Sequence, residues 1–344
     1  MSYSLEEDPY QNPEETGLIV IYHPHKPEAA DYAASIHKNS LWPYGPTMPL
    51  AAQHDPSANR EQLEQVLQQG PADVIIAGGD GTISNSIKAL LSLGHEGKIA
   101  VSAFGNANDT AKMLHSPYYQ QKPLEALLHG YDVYVPTIDI RANQQKLIAI
   151  AYSGVGLTAE CSAFFNSPEY RNNPLGANQL LQYARKVKAI DKYLKNYDKF
   201  LRYINEGKNV LEIFMELDPL ILSNDRHETS SKINDFTIIN GFRMAKTRIH
   251  PNPELLTSPQ ALYEFTRYRE NSYVNLFEQI KSFGKLAIGR HVLTPDKRLD
   301  FSLESVNDRP LILHTDGEIV TLQDKKVDMS VSLGEYRVRC VSTR

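Results

Sequence analysis

The feature that most restricts what this chain can fold into is a five-residue junction, Gly78-Gly79-Asp80-Gly81-Thr82, set between two apolar patterns of different period. Before it, Val74-Ile75-Ile76-Ala77 is a continuous apolar run and reads as a buried strand. After it, Ile83 to Leu93 carries Ile87, Leu90 and Leu91 at helical spacing. A glycine-rich turn between strand and helix lets backbone N–H groups converge on one concavity, and the helix start adds positive partial charge, which suits phosphate. The glycines are expected there for positive φ and for close backbone approach. Asp80 is out of place beside a phosphate unless a divalent cation or a substrate hydroxyl joins it. Thr82 either caps the helix or donates to a phosphate oxygen. The plain alternative is a tight βα turn with a capping threonine. Against it stands a second polar loop, Gly105-Asn106-Ala107-Asn108-Asp109-Thr110, after the next apolar strand, Ile99-Ala100-Val101. Two such loops side by side at the carboxyl edge of a parallel sheet form a nucleotide crevice.

The rest of the first third agrees with that sheet. Leu18 to Tyr22 reads as a strand running into His23-Pro24, Glu28 to Lys38 as an alanine-rich helix, and Asn59 as the cap of a helix through Gln69, stopped by Gly70-Pro71. Strand and helix in alternation imply a Rossmann-like parallel α/β domain. From about Tyr134 the pattern shifts to short or alternating apolar stretches, Tyr134 to Ile140, Leu147 to Tyr152, Phe236 to Ile239 and Leu311 to Leu313, which imply an antiparallel β-sandwich domain. A long helical insertion, roughly Asn178 to Asn205, interrupts it. The division expected is a disordered tail over 1–16, a nucleotide-binding α/β domain over 17–135, and a β-rich acceptor-binding domain over 136–344 whose last segment is free to return to the first domain.

Composition excludes several classes. A net charge of -5 leaves no whole-molecule basic footprint for nucleic acid. Two cysteines, Cys161 and Cys340, make neither a disulfide framework nor a metal-ligand pattern. The acidic start lacks the apolar stretch of a leader, and no apolar run is long enough to span a bilayer, so a cytoplasmic protein that meets membranes only peripherally is expected.

Four segments carry a family resemblance. Ala77 to Ser86, Ala-Gly-Gly-Asp-Gly-Thr-Ile-Ser-Asn-Ser, resembles the Gly-Gly-Asp-Gly-Thr-x-x-Asn-Glu signature of the diacylglycerol kinase catalytic domain, whose superfamily includes sphingosine and ceramide kinases and is related to NAD kinase. Gly105 to Ala111 is similar to its Gly-Thr-x-Asn-Asp-x-Ala element, with Asn106 in the threonine position. Tyr152-Ser153-Gly154-Val155-Gly156 resembles the glycine segment that opens its β domain. His314-Thr315-Asp316-Gly317-Glu318 resembles its late Asp-Gly-Glu element. The chain departs from the family in three further places. His23-Pro24-His25-Lys26-Pro27 stands for Asn-Pro-x-Ser-Gly. Ser86 stands for an acid, a change expected to weaken ribose contacts. The Asp-Gly pair usually found after Gly241-Phe242-Arg243-Met244 is missing.

The resemblance implies a phosphotransferase that moves the γ-phosphate of ATP, with Mg²⁺, to a hydroxyl of a lipid or amphipathic alcohol. His23, Gly78, Gly79, Asp80, Gly81, Thr82, Asn85, Gly105, Asn106, Asn108 and Asp109 would hold the nucleotide. Asp316 would act as general base, with Glu318 and Asp80 organising the metal or the hydroxyl. Without the family, Asp316-Gly317 is a hairpin turn. Glu318 would share a face with Asp316 if the backbone stayed extended. Two other functions compete: a kinase of NAD or another small molecule on the same scaffold, and a catalytically inactive lipid- or nucleotide-binding protein. In the long helical segment, Arg185, Lys188, Lys192, Lys195, Lys199 and Arg202 recur at three- and four-residue steps beside an apolar stripe. They form either a solvated edge or a ridge for anionic membrane. A homodimer is compatible with the sequence.

Overall fold

A computed structural model of the chain describes residues 16–53, 55–105, 110–111, 123–167, 212–213, 216–224, 227–240, 243–244, 247–248, 260–307 and 309–340. Asn106, Asn108, Asp109 and the six cations from Arg185 to Arg202 lie outside the described residues. By the density of internal packing the chain divides into two units. Unit 1 is Met1–Thr137 with Asn240–Gln260 and Gly334–Arg344; unit 2 is Ile138–Ile239 with Ala261–Leu333.

Unit 1 is built on a parallel sheet of β1 (Gly17–Tyr22), β2 (Thr47–Ala51), β3 (Ala72–Gly78) and β4 (Ile99–Ala103), in the order β2-β1-β3-β4. Helices α1 (Pro27–Lys38), α2 (Pro56–Leu67) and α3 (Asp80–Ser92) make the connections, and α4 (Pro123–His129) follows β4. Every residue of β3 is buried, as a parallel strand with neither face in water requires. Helix α1 turns Ala29, Ala33 and Ile36 inward, and α3 turns Ile83, Ile87 and Leu90, each at four- then three-residue steps. The indole Nε1 of buried Trp42 donates to the Thr16 carbonyl at 2.7 Å, and the ring packs edge-on against Tyr44.

Two details differ from the sequence reading. Helix α2 is capped by Asp55, whose Oδ1 accepts from the N–H groups of Ser57 (2.7 Å) and Ala58 (3.4 Å), and not by Asn59. Asn59 is buried one turn on, accepting from the Gln53 N–H. Strand β2 went unseen because Pro49 interrupts it; it lies at the sheet edge, where a missing N–H costs no ladder bond.

The β-rich part begins with β5 (Tyr131–Ala142), β6 (Gln145–Ala149), β7 (Tyr152–Gly156), β8 (Leu220–Asn224) and β9 (His227–Ile239). Strands β10 (Arg243–Met244) and β11 (Thr247–Arg248) pair only with each other. Then follow β12 (Ala261–Arg267), β13 (Val292–Leu293), β14 (Leu299–Ser305), β15 (Leu311–Thr315), β16 (Glu318–Leu322) and β17 (Lys326–Cys340). Apart from the small pair, these form one sheet in the order β16-β15-β7-β9-β8-β14-β17-β5-β6, with β12 joining β9 and β13 joining β12. Ile138 and Ala149 from one end of that order share a core with Leu313 and Leu322 from the other, so the sheet curls until its two flanks face each other. Phe236 lies in this core with ring centroids 4.8 Å from Phe265 and 5.0 Å from Phe301. Unit 2 also holds helices α5 (Leu157–Asn166) and α6 (Ser272–Ala287). The run Leu147 to Tyr152 is two strands, because Ile150 and Ala151 turn their N–H groups onto the Asp316 carboxylate.

Truncating Phe236 would leave a cavity at the meeting point of three rings. Phe236→Ala is expected to cost about 3–5 kcal/mol, read as a lower urea midpoint by far-ultraviolet circular dichroism.

Candidate functional site

The carboxyl ends of β1, β3 and β4 are tied to one another. The His23 N–H donates to the Ala77 carbonyl at 3.0 Å, and the Phe104 N–H donates to the Gly78 carbonyl at 2.8 Å. The loop after β3 starts α3 with Gly79 as N-cap, and among the described residues no side chain caps the first turn. None of Gly78, Gly79 or Gly81 has a positive φ, so the conformational reason expected for them does not hold. Their reason is space. A Cβ on Gly78 would stand 2.6 Å from the Thr82 Cβ, and one on Gly79 would stand 3.1 Å from the Gly105 Cα, where the two loops touch. A Cβ on Gly81 would meet nothing within 4 Å. The first two glycines are therefore demanded by the protein's own packing. The third faces room that the described residues leave unfilled, beside an uncapped helix start where an anion is favoured.

The other expected nucleotide residues fall as follows. Asp80 is the first residue of α3, and its Oδ1 accepts from the Thr110 N–H at 2.8 Å. Its first duty is to bind the glycine loop to the helical turn at Thr110, which accounts for an acid so near a phosphate cradle. Thr82 makes no side-chain cap; it packs on Gly78. Asn85 has a buried Oδ1 that meets no hydrogen-bond partner among the described residues. Ser86 is 0% exposed, and its buried Oγ meets no hydrogen-bond partner among the described residues. His23 is half-buried, accepts from the His25 N–H through Nδ1 at 3.1 Å, and closes the turn that leads into α1. Among the described residues, no three metal-ligating side chains cluster.

Asp316 and Glu318 stand on unit 2. Thr315 and Glu318 are paired across a two-residue hairpin turn made by Asp316 (φ 55) and Gly317 (φ 87). The backbone is not extended there, so Glu318 shares a face with Thr315 and the parity argued from the sequence fails. The Asp316 side chain is buried and turned back into a nest of backbone donors. Oδ2 accepts from the Ile150 N–H at 2.8 Å, and Oδ1 from the N–H groups of Ala151 (2.6 Å) and Tyr152 (3.2 Å). Its own N–H donates to the Tyr152 carbonyl. Asn166, at the end of α5, donates from Nδ2 to the Gly317 carbonyl at 2.5 Å.

Sequence reasoning missed a second strand–glycine–helix junction, at β7 and α5. Gly156 (φ 99) caps α5, and a Cβ there would stand 2.2 Å from the Asn234 carbonyl oxygen. Here the protein fills the helix start itself. Asp235, 0% exposed, accepts through Oδ1 from the Thr158 N–H and Oγ1, both at 2.9 Å, and through Oδ2 from the Thr237 hydroxyl at 2.5 Å. Burial outweighs these bonds and one from Gln279, and pushes the carboxyl up to about 6. Burial, aided by Asp235 and Glu160, also pushes the nearby Cys161 thiol up to about 12, which rules it out as a nucleophile. A Thr-Ile run on β9 gave no hint that the Asp235 before Phe236 would face inward. A cavity of about 690 Å³ lies at β14 and β17 among Arg141, Arg298, Asp300 and Lys326 and holds none of the residues singled out for chemistry.

Comparison with known proteins bears on the site. Residues 17–139 match the family described as the diacylglycerol kinase catalytic domain. Over 103 residues the chain is 39% identical to a protein named "Probable lipid kinase YegS-like" of Shewanella frigidimarina, covering 28% of this chain and 33% of that one. Over 94 residues it is 30% identical to a diacylglycerol kinase of Staphylococcus carnosus, covering 27% and 30%. The match thus spans about a third of the length of these curated relatives. A crystal structure of a diacylglycerol kinase from Bacillus anthracis has the same fold, with a TM-score of 0.54 over 94% of this chain and 96% of that one, at 13% identity. The likeness read from the glycine loop and from Gly105 to Ala111 thus falls within the matched residues 17–139, and the order of a parallel α/β unit followed by an antiparallel one is shared with the solved structure.

The raised carboxyl of Asp235 has a consequence for stability. An acid whose folded pKa lies above its unfolded value folds most favourably while protonated, and that contribution is lost as pH rises from about 4 through about 6. The span of roughly two units corresponds to about 3 kcal/mol. Plotted against pH, the unfolding free energy of Asp235→Asn minus that of wild type should rise by an amount of this order between pH 4 and 6.5. A flat difference would mean that Asp235 stays ionised in the fold.

Proposed function

We propose that this chain, which carries a diacylglycerol kinase catalytic domain over residues 17–139, is a lipid kinase that transfers the γ-phosphate of ATP to a hydroxyl of a lipid or amphipathic alcohol. The observation that carries this reading is the contrast between the two glycine–helix junctions. At α5 the helix start is met by a buried carboxylate of the protein itself. At α3 no side chain among the described residues caps the first turn, and the one glycine of the loop that their packing does not demand, Gly81, borders open room.

The backbone N–H groups of Gly79 to Thr82 would hold nucleotide phosphates there, by close approach and the helix dipole. When bound, magnesium neutralises phosphate charge. Asp80 or Glu318 would give the ion a carboxylate, with phosphate oxygens and water as further ligands.

Asp316 is the group assigned to the acceptor hydroxyl. A carboxylate has about four acceptor positions, and the nest occupies three with N–H donors, which favours the ionised form and fixes its direction. Held in that nest, it would take a hydrogen bond from the hydroxyl. So restrained a carboxylate is a weak base, which suits a loose transition state in which the proton leaves late, after the new P–O bond has begun to form.

Two variants separate these roles. Gly81→Val should fold as wild type, since its side chain enters open room, and should weaken ATP binding by at least about tenfold, measured by isothermal titration. Asp316→Asn should keep ATP affinity and lower kcat by about 10²–10⁴ on a panel of lipid alcohols with labelled ATP and Mg²⁺. Wild-type protein that binds ATP and labels nothing on that panel, NAD included, would sink the kinase reading.

A further inference from the structure

Helix α6 is seated the wrong way round for an ordinary amphipathic helix. Its inward residues include Asn275, Gln279 and Ser282, all buried, with Leu286 the one fully buried large apolar side chain of that face. Asn275 exchanges amide hydrogen bonds with Asn234 of β9 and accepts from the Arg269 N–H, while Lys285 pairs with buried Glu264 of β12. Its outward residues are apolar: Tyr273 is 86% exposed, Phe277 64%, Ile280 60%, Val274 45%, and Ile288, just past the helix end, 75%. Among the described residues only Leu41 and Val306 are other large hydrophobics so exposed. Tyr273, Phe277, Ile280 and Ile288 recur at steps that keep them on one side of the helix. A helix held to its sheet by polar groups has no folding reason for an apolar crest.

We propose that α6 is an interfacial docking helix, which lays this crest into the surface of an anionic lipid bilayer. Shape argues for a bilayer over a second copy of the chain. The five side chains expose roughly 600 Å², at the upper end of what a monomer tolerates, and short of the ~800 Å² that each partner contributes to a stable pair. The crest is also convex. Two like ridges touch only along a line, whereas acyl chains and headgroups close around a ridge on all sides. Charge argues the same way. The chain is -5 overall, yet exposed cations gather at this helix: Arg267 and Arg269 just before it, Lys281 on it and Arg290 just after it, against Glu270 and Glu278. Cations flanking an apolar stripe are placed to meet anionic headgroups as the stripe enters. The preference for a lipid surface leans on the lipid-kinase reading; the crest and its charges do not.

The test uses the full chain without nucleotide or acceptor. Wild type should sediment with vesicles of phosphatidylcholine containing about a third phosphatidylglycerol, less with phosphatidylcholine alone, and less as salt rises. The double variant Phe277→Ser with Ile280→Ser should keep its melting temperature and ATP affinity and lose vesicle affinity by at least about tenfold. As a second measure, the emission of Phe277→Trp should shift to the blue with anionic vesicles and be quenched by brominated acyl chains; the only native tryptophan, Trp42, is buried. Equal sedimentation of wild type and double variant, or no sedimentation of either, overturns the proposal. So does a wild-type dimer in analytical ultracentrifugation that the double variant converts to monomer, which would give the crest to a second copy. Vesicle binding by a protein that phosphorylates no acceptor would count against the kinase reading alone. Activity on a short-chain soluble acceptor without vesicle binding would count against docking alone.

Discussion

Backbone N–H groups that belong to no helix or ladder bond must find an acceptor, and in this chain carboxylates take that task again and again. Asp55 closes the start of α2, Asp80 the turn at Thr110, Asp235 the start of α5, and Asp316 the corner between β6 and β7. Much of the arrangement follows from these four. Asp80 binds one loop of the parallel sheet to its neighbour. Asp235 fixes α5 against β9. Asp316 breaks what would have been one strand into two and holds a hairpin against the break. Against that background an uncapped helix start beside an unfilled glycine is conspicuous, and the functional reading grows from that difference.

What the sequence revealed follows the same logic. The β3–loop–α3 junction was legible because continuous burial, glycine and helical period occur within one short segment, and each alone limits the backbone. The antiparallel unit was legible in outline from its short apolar stretches. The roles inside the loops were harder. Glycine in a turn suggests positive φ, but Gly78 and Gly79 are small because Thr82 and Gly105 press on them, and pressure from a distant residue leaves no local pattern. Ser86 illustrates the same limit: its type departs from the family pattern, and nothing local in the sequence shows that the position is buried.

The elements that escaped notice are those whose local signals conflict with their setting. Pro49 argues against a strand everywhere except at a sheet edge, which is where β2 lies. Helix α6 has a helical period, but apart from Leu286 its strongest apolar positions mark the outside and its amides the inside, so a reading that sends hydrophobic residues inward misplaces it. Asp235 lies between Asn234 and Phe236 with nothing to show which way its side chain turns; the strand decides, and with it the identity of the acid that meets α5.

The placement of Trp42 has a practical consequence. It is the chain's only tryptophan, it is 5% exposed, and its nitrogen is bonded to the Thr16 carbonyl in unit 1. Native emission under tryptophan-selective excitation is therefore a probe of the parallel unit alone. The curled antiparallel unit, for all its stacked phenylalanines, is dark at that wavelength. Fluorescence and circular dichroism recorded on one sample would thus follow different parts of the molecule, and any gap between their transitions would measure how independently the two units melt.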